Sequence, residues 1–127
     1  MPSLILATPT TEAKLLTVVA PATTLGRDSD NDVVIDSQLA SRRHAVLLIE
    51  GPFVTIKDAG SRNGTYVNGR RVEAEVLADH DLIEIGDCLM RFLAAEQEIV
   101  SPEAVSLMAD VVFRRMPRPH NAEPAQG

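Results

Sequence analysis

Three short motifs within residues 26–69 combine arginine with hydroxyl and amide side chains. They are Gly26-Arg27, Ser41-Arg42-Arg43-His44 and Ser61-Arg62-Asn63-Gly64-Thr65. The planar guanidinium of arginine donates paired hydrogen bonds to a phosphate, and hydroxyls and backbone N–H groups in loop turns add further donors. These residue types therefore indicate a site for an anionic phosphate and for the polar backbone that adjoins it.

Short apolar runs separated by turn residues must position these motifs. The runs recur at roughly 6–12-residue spacing, which is typical of an all-β sandwich. Two β-rich runs flank Glu50-Gly51-Pro52, and Asn68-Gly69 is a strong signal for a two-residue hairpin turn. Residues 70–77 are predicted to return from that turn as a single strand. The motifs then fall in loops held by a rigid scaffold.

A single domain over residues 1–96 is predicted, followed by a C-terminal extension over 97–127. The extension begins with a helix signal, because Ser101 suits an N-cap and Pro102 suits the first helical position. A stripe of apolar residues continues the pattern and Pro117 ends it, so we predict a short helix at about 101–115. The remaining tail is rich in Pro and Ala and is expected to be disordered.

Composition excludes several classes of function. The net charge of −6, with three Phe, one Tyr and no Trp, disfavours binding to nucleic acid or to an anionic membrane. One cysteine, Cys88, leaves no intramolecular disulfide and no metal-ligand cluster, so no metal and no cofactor are expected. The absence of a signal peptide or long apolar run predicts a cytoplasmic location. Seven of the twelve basic residues lie between Arg27 and Arg71, which favours a small anionic ligand.

The motifs, in this order and with Val67-Asn68-Gly69 after them, resemble a forkhead-associated (FHA) domain. The resemblance covers about residues 3–94. It implies a β-sandwich of about eleven strands in two sheets that binds phosphothreonine peptides through loops at one end. It implies neither catalysis nor a cofactor.

The resemblance also assigns roles to individual residues. It implies that four residues contact the phosphate: Arg27, Ser41, Arg43 and Arg62. Two residues are expected to bind the peptide backbone: Arg42 and Asn63, the latter on the C-terminal side of the phosphothreonine. Four residues are expected to brace the loops: Gly26, His44, Gly64 and Thr65. Two residues are candidates for specificity: Leu39 and Asn68.

The function predicted is an adaptor that recruits a phosphorylated protein partner downstream of a Ser/Thr kinase. The alternative is a scaffold or oligomerisation module that binds independently of phosphate. A hydrolase using Ser41 and His44 is disfavoured, because no third group is apparent to orient a dyad. For Arg27 the competing interpretation is a surface ion pair with Asp28 or Asp32. For Arg70 and Arg71 a solvated hairpin end is favoured over an extension of a cationic rim.

Overall fold

The computed structural model describes residues 2–9 and 11–94, which form eleven β-strands in two sheets and no helix. The strands are β1 (Ser3–Thr8), β2 (Thr11–Thr17), β3 (Ala22–Gly26), β4 (Val33–Val34), β5 (Ala45–Glu50), β6 (Phe53–Asp58), β7 (Thr65–Val67), β8 (Arg70–Val72), β9 (Ala74–Val76), β10 (Leu82–Ile85) and β11 (Cys88–Leu93). The predicted all-β class and strand number are confirmed. The helix predicted at about 101–115 and the tail lie outside the described residues.

The two sheets enclose one hydrophobic core. The six-stranded sheet has the order β2-β1-β11-β10-β7-β8, and the five-stranded sheet has the order β4-β3-β5-β6-β9. The strand pairings among the described residues are antiparallel except that of β3 with β4, which is parallel. Successive strand residues point to opposite faces, so Leu47 and Ile56 meet Ile83 and Met90 in the interior, where all four are fully buried.

The prediction of one strand over residues 70–77 is wrong. Here the chain crosses from one sheet to the other, because β8 pairs with β7 whereas β9 pairs with β6. The crossing occurs at Glu73, whose carbonyl accepts a 2.8 Å bond from the N–H of Asp58. An extended chain keeps its β-type residue pattern through such a crossing, so local sequence does not mark the break.

Strand direction gathers the three motifs at one end of the sandwich, here called the recognition end. The register pairs Leu25 with Ala45 and Ala45 with Asp58, which places the loops after β3, before β5 and after β6 side by side. The β5–β6 turn lies at the other end of these strands. The turn at Asn68 also lies away from the recognition end, since β7 begins there and carries the chain away from it.

Two further features of the described residues are the lack of a membrane-spanning helix and the burial of the single cysteine. Among the described residues, no helix is long or apolar enough to span a membrane. Cys88 is fully buried. Burial, with a smaller contribution from the charge of Asp87, raises the pKa of its thiol to about 12, so the side chain stays protonated in the core.

Candidate functional site

A cleft of about 370 Å³ opens between the loops of the recognition end. Its lining is drawn from all three motifs and from the segment before Ser41: Arg27, Gln38, Leu39, Ala40, Ser41, Arg62 and Asn63. A smaller depression of about 220 Å³ shares Arg27 with the cleft and adds Asp28 and Arg42. The structure thus brings together residues from positions 27 to 63 around one concave surface.

Ser41 and Asn63 are fixed in the cleft while each keeps bonding capacity for a ligand. The Oγ of Ser41 accepts a 3.1 Å bond from the N–H of Arg62, so its O–H remains available to donate. The Nδ2 of Asn63 donates a 2.8 Å bond to the carbonyl of Leu39. That leaves one N–H and the Oδ1 of this amide for another partner. The same bonds join the loop before β5 to the loop before β7.

His44 joins these two loops from beneath. It is fully buried, its Nδ1 accepts a 3.0 Å bond from the N–H of Ser41, and its Nε2 lies 2.8 Å from the carbonyl of Gly64. Since Nδ1 accepts, the single ring proton must be on Nε2, which donates to Gly64. Burial lowers the pKa of His44 against the opposing effects of the Gly64 bond and the charge of Asp58.

Asp58 organises the loop that carries Arg62 and Asn63. Its Oδ1 accepts from the hydroxyls of Ser61 at 2.5 Å and Thr65 at 2.7 Å, and its Oδ2 accepts from the N–H groups of Gly60 and Ser61, both at 2.9 Å. Burial raises the pKa of this carboxyl, but the four hydrogen bonds together outweigh it, so the pKa is lowered. Thr65 is fully buried beside it.

Gly26 and Asn31 hold the β3–β4 loop against the segment that carries Arg42. The Nδ2 of Asn31 donates to the carbonyls of Asp28 at 2.9 Å and Arg42 at 2.7 Å. A Cβ on Gly26 would lie 2.1 Å from that Arg42 oxygen, so only glycine allows the backbones to approach so closely. The N–H of Arg27 donates to the carbonyl of Ser41 at 2.9 Å and completes the junction.

The arginines of the described residues divide into two groups. Three have partners: Arg43 with Asp30 at 3.1 Å, Arg70 with Glu75 at 3.3 Å, and Arg91 with the carbonyl of His80 at 2.5 Å. Four side chains have no hydrogen-bond or ion-pair partner within residues 2–9 and 11–94: Arg27, Arg42, Arg62 and Arg71. The alternative ion pair of Arg27 with Asp28 or Asp32 is therefore not formed. Arg27 and Arg62 face the cleft with uncompensated positive charge.

Two of the residues predicted to contact the ligand line neither the cleft nor the smaller depression. Arg43 is exposed, and within the described region it lines neither the cleft nor the smaller depression. Asn68 occupies the β7–β8 turn with φ of 51°. Its amide donates to Asp81 at 2.9 Å and accepts from the N–H of Leu82 at 2.9 Å. Leu39, the other specificity candidate, lines the cleft and is 38% exposed.

Sequence reasoning missed Asp58 and Asn31 as loop-bracing residues. For Asp58 a signal was present, because Asp followed at the third position by Ser is typical of a turn in which the carboxylate accepts from nearby N–H groups. For Asn31 a local signal covers only its bond to the carbonyl of Asp28, because its other partner, the carbonyl of Arg42, lies eleven residues along the chain. Both side chains act on loop geometry from behind the cleft.

Comparisons with known proteins agree with this arrangement. A family model described as "FHA domain" matches residues 23–86. The chain is 44% identical over 73 residues to the glycogen accumulation regulator GarA of Mycolicibacterium smegmatis. This match covers 58% of this chain and 46% of the relative. It is also 44% identical over 79 residues to the oxoglutarate dehydrogenase inhibitor of Corynebacterium glutamicum. That match covers 61% of this chain and 54% of the relative. The match spans about half the length of these two curated relatives.

A solved structure of Mycobacterium tuberculosis EmbR in complex with a low-affinity phosphopeptide is also similar. It superposes with a TM-score of 0.66 at 34% sequence identity, over 77% of this chain and 26% of that one. The loops that carry the cleft therefore belong to a scaffold shared with a protein that has been seen with a phosphopeptide bound.

Proposed function

Because this chain belongs to the FHA-domain family, we propose that it is a phosphothreonine-dependent peptide-binding module that recruits a phosphorylated protein partner in Ser/Thr kinase signalling. The observation that carries the proposal is the cleft at the recognition end. There, two arginines without acidic partners among the described residues adjoin a hydroxyl and an amide that retain free bonding capacity. The role proposed is non-enzymatic, cytoplasmic and independent of any cofactor.

The phosphate is proposed to bind between Arg27, Ser41 and Arg62. A phosphothreonine carries about −1.5 to −2 charges at pH 7 and three strong acceptor oxygens. Two guanidinium groups and the free O–H of Ser41 supply matching donors. Each charge-assisted hydrogen bond contributes roughly 1.5–3 kcal/mol, so two or three separate a phosphorylated peptide from its unphosphorylated form by several kcal/mol.

The peptide backbone is proposed to bind to Asn63 and Arg42. The Oδ1 and the second amide N–H of Asn63 match one backbone N–H and one carbonyl of an extended ligand. Arg42 lies in the depression that shares Arg27 with the cleft, which suits it to a carbonyl beside the phosphate. Arg43 reaches a phosphate only by leaving Asp30, so we assign it a supporting contact at the outer rim.

The geometry of His44 speaks against a Ser–His dyad. Both ring nitrogens are engaged by backbone groups, and the Oγ of Ser41 accepts from Arg62 rather than facing the imidazole. A general base must be within hydrogen-bond reach of the proton that it removes. We instead assign to His44 the role of holding the two loops at a fixed distance.

A phosphate-independent scaffold remains the second candidate, and one observation favours it. On the five-stranded sheet, Phe53 is 62% exposed and Val76 is 56% exposed. Large exposed apolar side chains on a sheet are suited to contact with a protein partner. Binding that survives both phosphatase treatment and the loss of Arg27 would favour this candidate over the first.

The proposal is tested by titrating the full chain with a phosphothreonine peptide library and with the matched unphosphorylated library. We expect saturable binding to phosphorylated peptides only. Arg27→Ala is expected to weaken binding by roughly 10–100-fold, because one charge-assisted phosphate contact is lost. Arg70→Ala is the matched control, since this arginine lies outside the cleft and pairs with Glu75, and it should change affinity less than twofold. Equal affinity for both libraries would overturn the proposal.

A further inference from the structure

The guanidinium of Arg71 lies against Gly64, the residue that follows Asn63. A Cβ placed on Gly64 would lie 2.6 Å from the Nε of Arg71 and 3.0 Å from its Cζ. The side chain therefore passes directly over the Gly64 backbone toward the loop that lines the cleft. Although Arg71 belongs to β8 and lines neither depression within the described region, its charge is held beside the recognition end.

The strand register explains how a β8 residue reaches this position. Tyr66 pairs with Arg71 across the β7–β8 hairpin, and Gly64 lies two residues before Tyr66. Gly64 is thus the diagonal neighbour of Arg71 on that side of the hairpin, a separation that long side chains span. Gly64 has no side chain to block the path and adopts φ of 93°, which favours glycine. Any larger residue at 64 would displace the arginine.

Arg70 and Arg71 are consecutive, yet only Arg70 forms an ion pair among the described residues. Arg70 contacts the carboxylate of Glu75, its Nη2 lying 3.3 Å from Oε1 and 3.5 Å from Oε2. Arg71 has no hydrogen-bond or ion-pair partner among the described residues. In an acidic chain of net charge −6, an arginine that pairs with no carboxylate among the described residues is available to an anionic group on a ligand.

We propose that Arg71 forms a second anion-binding subsite for an acidic group on the ligand, C-terminal to the phosphothreonine. This inference rests on the proposed function, in which Asn63 holds the ligand backbone just after the phosphothreonine. Gly64 follows Asn63 in the chain, and the side chain of Arg71 lies against Gly64. An extended peptide advances about 3.3 Å per residue, so the group falls two to four residues after the phosphothreonine. Its chemistry is a carboxylate or a second phosphate.

The test compares peptides that share one phosphothreonine and carry Gln, Glu or phosphothreonine at each of the positions two, three and four residues later. Isothermal titration with the full chain at low and high salt measures each affinity. We expect the acidic peptides to bind roughly fivefold tighter than the Gln peptide at one of these positions, an effect sized for a solvent-exposed ion pair. The preference should shrink as salt rises. The Glu and phosphothreonine arms distinguish a carboxylate from a second phosphate as the source.

Arg71→Met keeps a long side chain over Gly64 but removes the charge, and Arg70→Met is the matched control. We expect Arg71→Met to bind all peptides with affinities within about twofold of one another, while it still requires the phosphothreonine. Arg70→Met should retain the acidic preference. A structural role alone would lower stability without changing the ratio of acidic to Gln affinities.

Two results would overturn the inference, and both differ from failure of the proposed function. One is a wild-type protein that needs the phosphothreonine but shows no acidic preference at any of the three positions. The other is an acidic preference that persists in Arg71→Met. If instead no peptide binds in a phosphate-dependent manner, the proposed function itself is wrong and the subsite loses its premise.

Discussion

The two ends of the sandwich solve the problem of connecting strands in different ways. At the recognition end the three connections that carry the motifs are long (residues 27–32, 35–44 and 59–64), and buried or half-buried polar side chains from distant positions hold them in place. His44 spans two loops through Ser41 and Gly64, and Asp58 accepts four hydrogen bonds. At the other end of β5 and β6, only Gly51 and Pro52 separate the two strands. That connection is a short turn set largely by the backbone.

The difference follows from what the proposed ligand-binding role requires of a loop. A loop that presents uncompensated arginines cannot be stabilised by pairing those arginines with acids, because the pairing would occupy the site. Its rigidity must come from behind, from side chains such as His44 and Asp58 that satisfy backbone groups. The hairpin containing Arg70 carries no such restriction at that position, and there the arginine does pair with Glu75.

The largest effect is expected from alanine at two glycines, one at each end. Gly26→Ala places a Cβ 2.1 Å from the carbonyl oxygen of Arg42, a clash that only backbone movement relieves. We expect a loss of about 3 kcal/mol or more in the free energy of unfolding. Gly51→Ala meets nothing within 4 Å and suffers only its φ of 57°, so its loss should be about 1–2 kcal/mol. Chemical denaturation measures both.

Peptide affinity should also differ between the two glycine variants. The displaced Arg42 backbone in Gly26→Ala should also weaken binding to a phosphothreonine peptide, whereas Gly51→Ala should leave affinity unchanged once both proteins are measured at a temperature where they are folded. Equal stability losses in the two variants would show that the recognition end tolerates movement. The proposed distinction between the ends would then be lost.

The second comparison uses two aspartates. Asp58→Ala leaves two hydroxyls and two backbone N–H groups without their shared acceptor, so we expect a loss of roughly 2–4 kcal/mol in unfolding free energy. Asp81→Ala removes an acceptor from Asn68 and from the N–H of Ala78, both in exposed bonds, and should cost about 1 kcal/mol. Thermal denaturation of both variants against the wild type provides the measurement.

The affinity of the two aspartate variants for a phosphothreonine peptide tests the same comparison. Asp58 carries the loop of Arg62 and Asn63, so its loss should weaken phosphopeptide binding along with stability. Asp81 lies in the turn after β9, and its loss should affect stability alone. If Asp81→Ala weakened binding as much as Asp58→Ala, bracing would not be specific to the recognition end.

The fold was largely predictable from sequence, because each strand between turns is a local pattern. The hairpins at Gly51 and Asn68 needed only turn residues between β-rich runs. The break at Glu73 was not predictable in this way, since a strand that changes sheets looks locally like one that continues. Sheet membership is a property of partners far along the chain, and local sequence does not encode it.

For some residues of the candidate site the sequence predicted the position, and for others it did not. The motifs and the family resemblance that they carry were sufficient to select Arg27, Ser41 and Asn63, all of which line the cleft. They were insufficient for Arg43, whose pairing with Asp30 depends on how two loops meet. The same holds for Arg71, because the sequence predicts a solvated hairpin end there and the structure places its side chain against Gly64. Charge compensation is decided in three dimensions, so a list of basic residues does not reveal which charges are free.

The smallest effect expected is a pH dependence that separates His44 from His80. Burial lowers the pKa of His44 below its ordinary value of 6.5, whereas the unfolded chain takes up a proton near 6.5. The unfolded state therefore binds more protons as the pH falls below 6.5, so this contribution to stability is fully present above pH 6.5 and declines below it. Protonating Nδ1 would also remove the acceptor for the Ser41 N–H.

Denaturant titrations between pH 7.5 and 5 should show this decline in the free energy of unfolding. In His44→Asn the decline should disappear, while the exposed-site control His80→Asn, at φ of 71° where Asn is tolerated, should keep it. The carboxyl of Asp58 does not affect the result, because its pKa is lowered from 3.8, so its contribution to stability is present throughout this pH range and is lost only as the pH falls below about 3.8. A decline of the same size in His44→Asn would show that the link between the two loops does not depend on a neutral imidazole.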